Sequence, residues 1–201
     1  MSLSTNTEAK GVLVKVMMPR LCFLFLLLLS SLAVAEKYAL LVGINDYQGD
    51  ISPLRYCVAD VEAFGQALVE TAGFKSDNVY LMTSQMTGRQ QPTHVNVIRQ
   101  LSLLSERVKP EDTFIFYFSG HGITKAGQSF LLTTNSDTTT KDTLTITAVN
   151  LNQAKEILSR VQAQQLLTVI DACRNDPDSG RGEEDNLLTN DFSRGFKIKR
   201  D

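Results

Sequence analysis

Two apolar runs of strand length, each ending on a reactive side chain, limit what this chain can fold into. Leu166-Leu167-Thr168-Val169-Ile170 is β-branched and apolar, the composition of a strand buried on both faces, and it runs into Asp171-Ala172-Cys173. Phe114-Ile115-Phe116-Tyr117-Phe118 has the same build and ends in Ser119-Gly120-His121-Gly122. In open α/β sheets, ligands and chemistry sit outside the carboxyl ends of parallel strands. If the two runs are parallel neighbours they lie about 4.8 Å apart, and the imidazole of His121 meets the thiol of Cys173. A thiol beside an imidazolium has a depressed pKa and attacks carbonyls. The glycines flanking His121 admit a substrate backbone, and the amides of Gly122 and Cys173 are natural oxyanion donors. The pattern is that of an acyl-transfer site.

The remaining segments supply a sheet and its helices. Tyr38 to Ile44 is an apolar strand, followed by a loop of turn formers at Asn45-Asp46-Tyr47. Residues 58–72 have helical spacing, with Val58, Val61, Phe64 and Leu68 on one face and Gly73 as the stop. Asp60 falls in the first turn, where a carboxylate complements the helix dipole. Cys57 reads as a small buried apolar residue without chemistry. Residues 79–82 form a short strand, and a second helix begins with Thr93 as N-cap and Val97, Leu101, Leu104 and Val108 inward. His94, in its first turn, is expected to face solvent and to be idle. Phe130-Leu131-Leu132 reads as a hairpin partner, Thr133 to Thr147 as a surface excursion, and residues 151–161 as a third helix. Strands alternating with helices predict an α/β fold: a mostly parallel sheet with helices on both faces. A cysteine after a buried strand is more often inert core, and a histidine in a glycine-rich turn is ambiguous alone. Finding both at strand ends of one sheet, with an acid two residues before the cysteine, makes the pair specific.

Residues 1–35 stand apart. Met17-Met18-Pro19-Arg20 leads into LCFLFLLLLSSL and Ala33-Val34-Ala35, a basic start, an apolar stretch and an A-x-A end. These are the parts of a secretory signal peptide, with cleavage expected after Ala35, translation starting at Met1, Met17 or Met18, and a periplasmic or extracellular destination. An uncleaved signal anchor is the alternative. The formal net charge of −2 gives no reason to invoke nucleic acid. Beyond Cys22 in the leader, two cysteines without C-x-x-C spacing and two histidines suit neither a zinc site nor a disulfide framework.

SGHG at 119–122 and DACRND at 171–176, each closing an apolar strand, resemble the caspase-fold superfamily and within it the metacaspases. Cys173 follows His121 by 52 positions, in keeping with the spacing of about 50 already known for caspases. The resemblance runs from YALLVGIN at 38–45 through LRYCVADVEAF at 54–64 to about Asp178, with 179–201 as a polar tail. It implies a caspase-like three-layer sandwich over 36–178 and a cysteine endopeptidase with Cys173 as nucleophile and His121 as general base and acid. Where caspases that cut after aspartate carry Gln two residues before the cysteine, this chain has Asp171. The metacaspase pattern matches that residue and Asp60 to the primary specificity pocket. Buried carboxylates there would select Arg or Lys, which satisfies them in charge-assisted bonds.

The resemblance further implies peptide or protein substrates with a basic residue, and strands of a small subunit beyond the cysteine. Those strands are not recognisable after Cys173, which leaves open a fragment, a partner chain that supplies them, or a caspase-like interaction module that binds without cutting. A gingipain-like secreted protease is a further alternative. Many metacaspases need calcium; Asp176, Asp178, Glu183, Glu184 and Asp185 are hard oxygen ligands, but their spacing matches no ordered calcium loop. No metal ligand set or other cofactor is expected from the residues. Basic positions in the tail, among them Arg181 and Arg194, are candidate sites of self-cleavage.

Overall fold

The computed structural model describes residues 34–174. Along them run β1 (Lys37–Gly43), α1 (Cys57–Glu70), β2 (Val79–Thr83), α2 (His94–Arg107), β3 (Thr113–Lys125), β4 (Gln128–Leu131), α3 (Lys141–Thr147), β5 (Val149–Asn150), α4 (Leu151–Ser159) and β6 (Gln165–Arg174). Short 3-10 turns at Ser76–Asn78 and Gly88–Gln90 precede β2 and α2. Most of the expected leader and all of the tail after Arg174, including the acidic stretch 176–185 and the candidate self-cleavage sites, lie outside the described residues. Among the described residues no helix is long and apolar enough to cross a membrane.

Strands β2, β1, β3 and β6 are parallel, with β3 between β1 and β6. The β1–β3 register runs from Lys37 opposite Thr113 to Gly43 opposite Ser119, and the β3–β6 register from Thr113 opposite Gln165 to Gly122 opposite Arg174. Alternation along β3 divides the core. Phe114, Phe116 and Phe118 face one side, where they pack with Val97, Leu101 and Leu104 of α2 and Ala154, Ile157 and Leu158 of α4. Ile115 and Tyr117 face the other, against Val61, Phe64 and Leu68 of α1. Burying one such phenylalanine contributes about 1.5–3 kcal/mol, so β3 is the most heavily anchored strand. The result is the expected mostly parallel α/β sandwich with helices on both faces.

Buried Asp112 ties the amino-terminal edge of the sheet together. Its carboxylate accepts from the N–H of Glu36 at 2.7 Å and of Lys109 at 2.8 Å, and its carbonyl accepts from Gln164 N–H at 2.8 Å. The starts of β1, β3 and β6 are thus aligned, which sets the level at which all three reach their carboxyl ends.

Four details depart from the sequence expectations. First, the two motif strands do not stop at their motifs. β3 continues to Lys125 because β4 pairs antiparallel with its extension, Gly122 opposite Leu131. The turn between them, Ala126 (φ 50°) and Gly127 (φ 74°), has the positive dihedrals of a tight hairpin. Second, β6 is not buried on both faces. Leu167 is 49% exposed and the run from Leu166 to Ile170 is otherwise only half-buried, since among the described residues β6 pairs with β3 alone. Third, the threonine-rich segment is not a simple surface excursion. Thr133 and Ser136 are buried and both hydroxyls donate to the Thr147 carbonyl, while Thr140 and Thr143 form a capping box on α3. Hydroxyls that satisfy nearby backbone can be buried without penalty, and composition does not reveal this. Fourth, His94 is half-buried, with its Nε2 shielded from solvent and without a partner among the described residues.

The amino-terminal turn of α1 presses on the end of β1 at Gly43. A Cβ there would stand 2.4 Å from Val61 Cγ2 and 2.5 Å from the Cys57 carbonyl oxygen. Gly43→Ala is therefore expected to cost about 1–3 kcal/mol, seen as a lower midpoint in chemical denaturation; an unchanged midpoint would contradict this packing.

Candidate active site

Beyond Gly43 the chain leaves the sheet as a loop, residues 44–56, that returns to α1 over the carboxyl ends of the strands. Asn45 pins it. Its side-chain carbonyl accepts from Val58 N–H at 3.2 Å, a cap supplied from outside the helix, and its backbone carbonyl accepts from Leu54 N–H at 2.8 Å. Ser84 Oγ, at the end of β2, accepts from Asn45 N–H at 3.1 Å. The loop and the first turn of α1 are thereby fixed against the carboxyl edge of the sheet.

His121 sits under this loop and is 9% exposed. Its Nε2 lies 2.9 Å from the Ser52 carbonyl oxygen. A carbonyl can only accept, so Nε2 carries a proton and, in the neutral ring, the lone pair is on Nδ1. The phenol ring of Tyr47 lies against the imidazole, with centroids 5.1 Å apart and planes tilted by 43°. Tyr47 oxygen accepts from the backbone N–H of His121 at 2.8 Å. Burial pushes the Tyr47 phenol far above its ordinary pKa, and it stays a neutral hydroxyl.

The parallel register sets Cys173 on β6 directly opposite His121, and Asp171 opposite Ser119. Gly122 lies inside β3, paired with Arg174 on one edge and Leu131 on the other. The buried Ser119 hydroxyl reaches the Asp171 carboxylate at 3.5 Å.

Both acids singled out in the sequence come to one place. Burial pushes the Cys57 thiol up; a hydrogen bond with Ser119 opposes this, and the charges of Asp171 and Asp60 add to the rise. Tyr117 is raised by burial and then by Asp171, with Asp60 also contributing. The two carboxylates thus act on the same thiol and the same phenol, on the α1 face of the sheet. They are not buried as the sequence reading supposed: Asp60 and Asp171 are exposed, on the first turn of α1 and on β6, whose one neighbour among the described residues is β3. Cys57 is half-buried beside them rather than enclosed in core.

Sequence reasoning missed Tyr47, Ser52 and Ser119. Ser119 had a readable signal, standing two positions before His121 and so on the same face of the strand. Tyr47 and Ser52 lie in a turn-rich loop whose path is set by tertiary contacts, and Ser52 acts through a backbone carbonyl that any residue would supply. Among the described residues no cluster of three His, Cys, Asp or Glu could hold a metal ion.

A family model described as the metacaspase, peptidase C14 domain matches residues 37–177, well over half of the chain. The chain belongs to the metacaspase family. Metacaspase-1 of Yarrowia lipolytica is 39% identical over 88 residues, which cover 43% of this chain and 19% of that protein. Metacaspase-1 of Meyerozyma guilliermondii is 40% identical over 92 residues, 45% of this chain and 22% of its own length. The matched stretch thus spans about a fifth of these curated metacaspases. A crystal structure of a Geobacter sulfurreducens protein superposes with a TM-score of 0.55 at 17% identity, covering 70% of this chain and 52% of that one; it shares the fold. Membership in the metacaspase family supports a cysteine peptidase.

The raised Cys57 thiol gives a direct check on the acidic corner. In a Cys173→Ala chain, alkylation of Cys57 by iodoacetamide is expected to reach half its limiting rate above the pH of a free cysteine, because the thiolate forms late. Asp171→Asn removes one negative charge and is expected to bring that midpoint down. A midpoint at or below the free-thiol value would contradict the arrangement.

Proposed function

We propose that this chain is a cysteine endopeptidase that cleaves after Arg or Lys, with Cys173 as nucleophile and His121 as general base and acid. The observation that carries this reading is the register of His121 opposite Cys173, with Nε2 of His121 already committed to the Ser52 carbonyl. The nitrogen left to take a proton is Nδ1. In the reaction proposed, Nδ1 accepts the thiol proton as the sulfur attacks the scissile carbonyl. The amides of Gly122 and Cys173 are the donors assigned to the developing oxyanion; both lie in the β3–β6 ladder, so this role requires the ladder to open at its last residues when substrate binds. The tetrahedral adduct collapses as His121 hands its proton to the leaving amine, and water, deprotonated by the same imidazole, hydrolyses the thioester.

Asp60 and Asp171 are assigned to the side chain on the acyl side of the cleaved bond. Their charges fall on one corner beside Ser119 and Cys57. A lysine or arginine entering there gains two carboxylates, and an acidic side chain is repelled. Since both acids are exposed, selectivity requires the incoming substrate itself to exclude water from them.

The test is hydrolysis of fluorogenic peptides ending in Arg, Lys, Asp or Leu by the wild-type chain and by Cys173→Ala, with and without added calcium. Turnover after Arg or Lys that disappears in Cys173→Ala is expected. Asp171→Asn should lower kcat/KM for Arg substrates roughly tenfold, the loss of one charge-assisted bond of about 1.5 kcal/mol. Cleavage after Asp alone would overturn the specificity, and a folded chain without turnover would favour a binding module.

A further inference from the structure

The parallel β1–β3 ladder has a defect at the candidate base, and a side chain fills it. Ile44 N–H donates to the Ser119 carbonyl at 3.0 Å, continuing the ladder one residue past the end of β1. In a regular parallel ladder the next bond runs from His121 N–H to the Ile44 carbonyl, since a residue that donates to one partner accepts from the residue two further on. That bond is replaced. His121 N–H donates to Tyr47 Oη at 2.8 Å, and the Tyr47 hydroxyl in turn donates to the Ile44 carbonyl at 3.4 Å. A phenol oxygen is inserted where a direct backbone bond would close the strands.

Two further observations meet at the same side chain. A Cβ on Gly120 would lie 2.9 Å from Tyr47 Oη, so the space for the wedge exists because residue 120 has no side chain. The ring that carries the hydroxyl is also the wall against which the imidazole rests. From the same loop, the Ser52 carbonyl accepts a hydrogen bond from Nε2–H of His121.

We infer that Tyr47 is the positioning residue of His121: its hydroxyl, wedged between the Ile44 carbonyl and the His121 amide, and its ring together hold the imidazole at the Ser52 carbonyl with Nδ1 free. This rests on the assignment of His121 as the base proposed above. Without the hydroxyl, the orphaned His121 N–H and Ile44 carbonyl are free to pair directly, which draws β3 toward β1 at this point and moves the imidazole off its acceptor. A displacement of about 1 Å at a reacting group is enough to cost on the order of a hundredfold in rate.

The test compares the wild-type chain with Tyr47→Phe, which keeps the ring, and with Gly120→Ala, which keeps the tyrosine but puts a methyl group 2.9 Å from its hydroxyl and 3.0 Å from the Phe118 ring, so that the hydroxyl must shift. Two readouts are taken, steady-state kinetics on an Arg substrate and the ring 15N correlations of His121. The chain has two histidines, and a His94→Gln variant tells their signals apart. Expected are a kcat lowered roughly tenfold or more in both variants, KM within about twofold, and loss of the single Nε2–H tautomer pattern of wild type. Wild-type kcat together with an unchanged tautomer pattern in Tyr47→Phe would overturn the inference and leave Tyr47 as space-filling. Should neither variant nor wild type hydrolyse peptides, the peptidase reading falls, and the nitrogen spectra alone decide on Tyr47: an unchanged pattern overturns its role, and a mixture of tautomers supports it. If Tyr47→Phe does not fold, Gly120→Ala carries the same comparison.

Discussion

The parallel pairing of β3 with β6 is the constraint on which the site depends. It runs unbroken from Thr113 opposite Gln165 to Gly122 opposite Arg174, and a slip of one residue would move every β6 side chain to the other face. His121 lies opposite Cys173, and Ser119 opposite Asp171, because of that register alone. The register is held from two directions. Asp112 aligns the strands at their starts, and β3 is fixed between two layers of helices, by Phe114, Phe116 and Phe118 on one face and Ile115 and Tyr117 on the other.

Around that register the loop from Ile44 to Tyr56 supplies what the strands cannot. Strands place Cα atoms; they do not choose which imidazole nitrogen is protonated. The Ser52 carbonyl makes that choice, and Asn45 and Ser84 keep the loop where the carbonyl can act. Gly43 and Gly120 are the points at which the loop and α1 approach the sheet too closely for a Cβ. The acidic corner is built on the same scaffold, with Asp60 brought by the first turn of α1 and Asp171 by β6, and both fields are felt at Cys57 and Tyr117.

Much of this was legible in the sequence where one physical signal dominates. The apolar runs at 38–44, 114–118 and 166–170 gave the strands, and the helical spacing of Val97, Leu101 and Leu104 behind the Thr93 cap gave α2, whose Asn96 N–H does bond the Thr93 hydroxyl. Pairing His121 with Cys173 followed from reading both strands as parallel neighbours. What escaped was set by tertiary contact. The extension of β3 beyond Gly122 depends on a hairpin partner, and the half-exposure of Leu167 on β6 having a single described neighbour. Burial of Thr133 and Ser136 depends on the Thr147 carbonyl that receives their hydroxyls. The exposure of Asp60 agrees with its reading as a helix-dipole carboxylate, whereas that of Asp171 depends on β6 having β3 as its one described neighbour, which no local residue pattern reveals.

The central claim is that Cys173, activated by His121, is the group that meets a peptide carbonyl. The most direct measurement is active-site labelling with a peptidyl-arginine acyloxymethyl ketone, an electrophile captured by an activated thiolate, followed by peptide mass spectrometry of wild-type and His121→Ala chains. The account predicts one adduct, on Cys173, that is formed by wild type and lost in His121→Ala. An adduct on Cys57, or equal labelling of Cys173 without the imidazole, would contradict it.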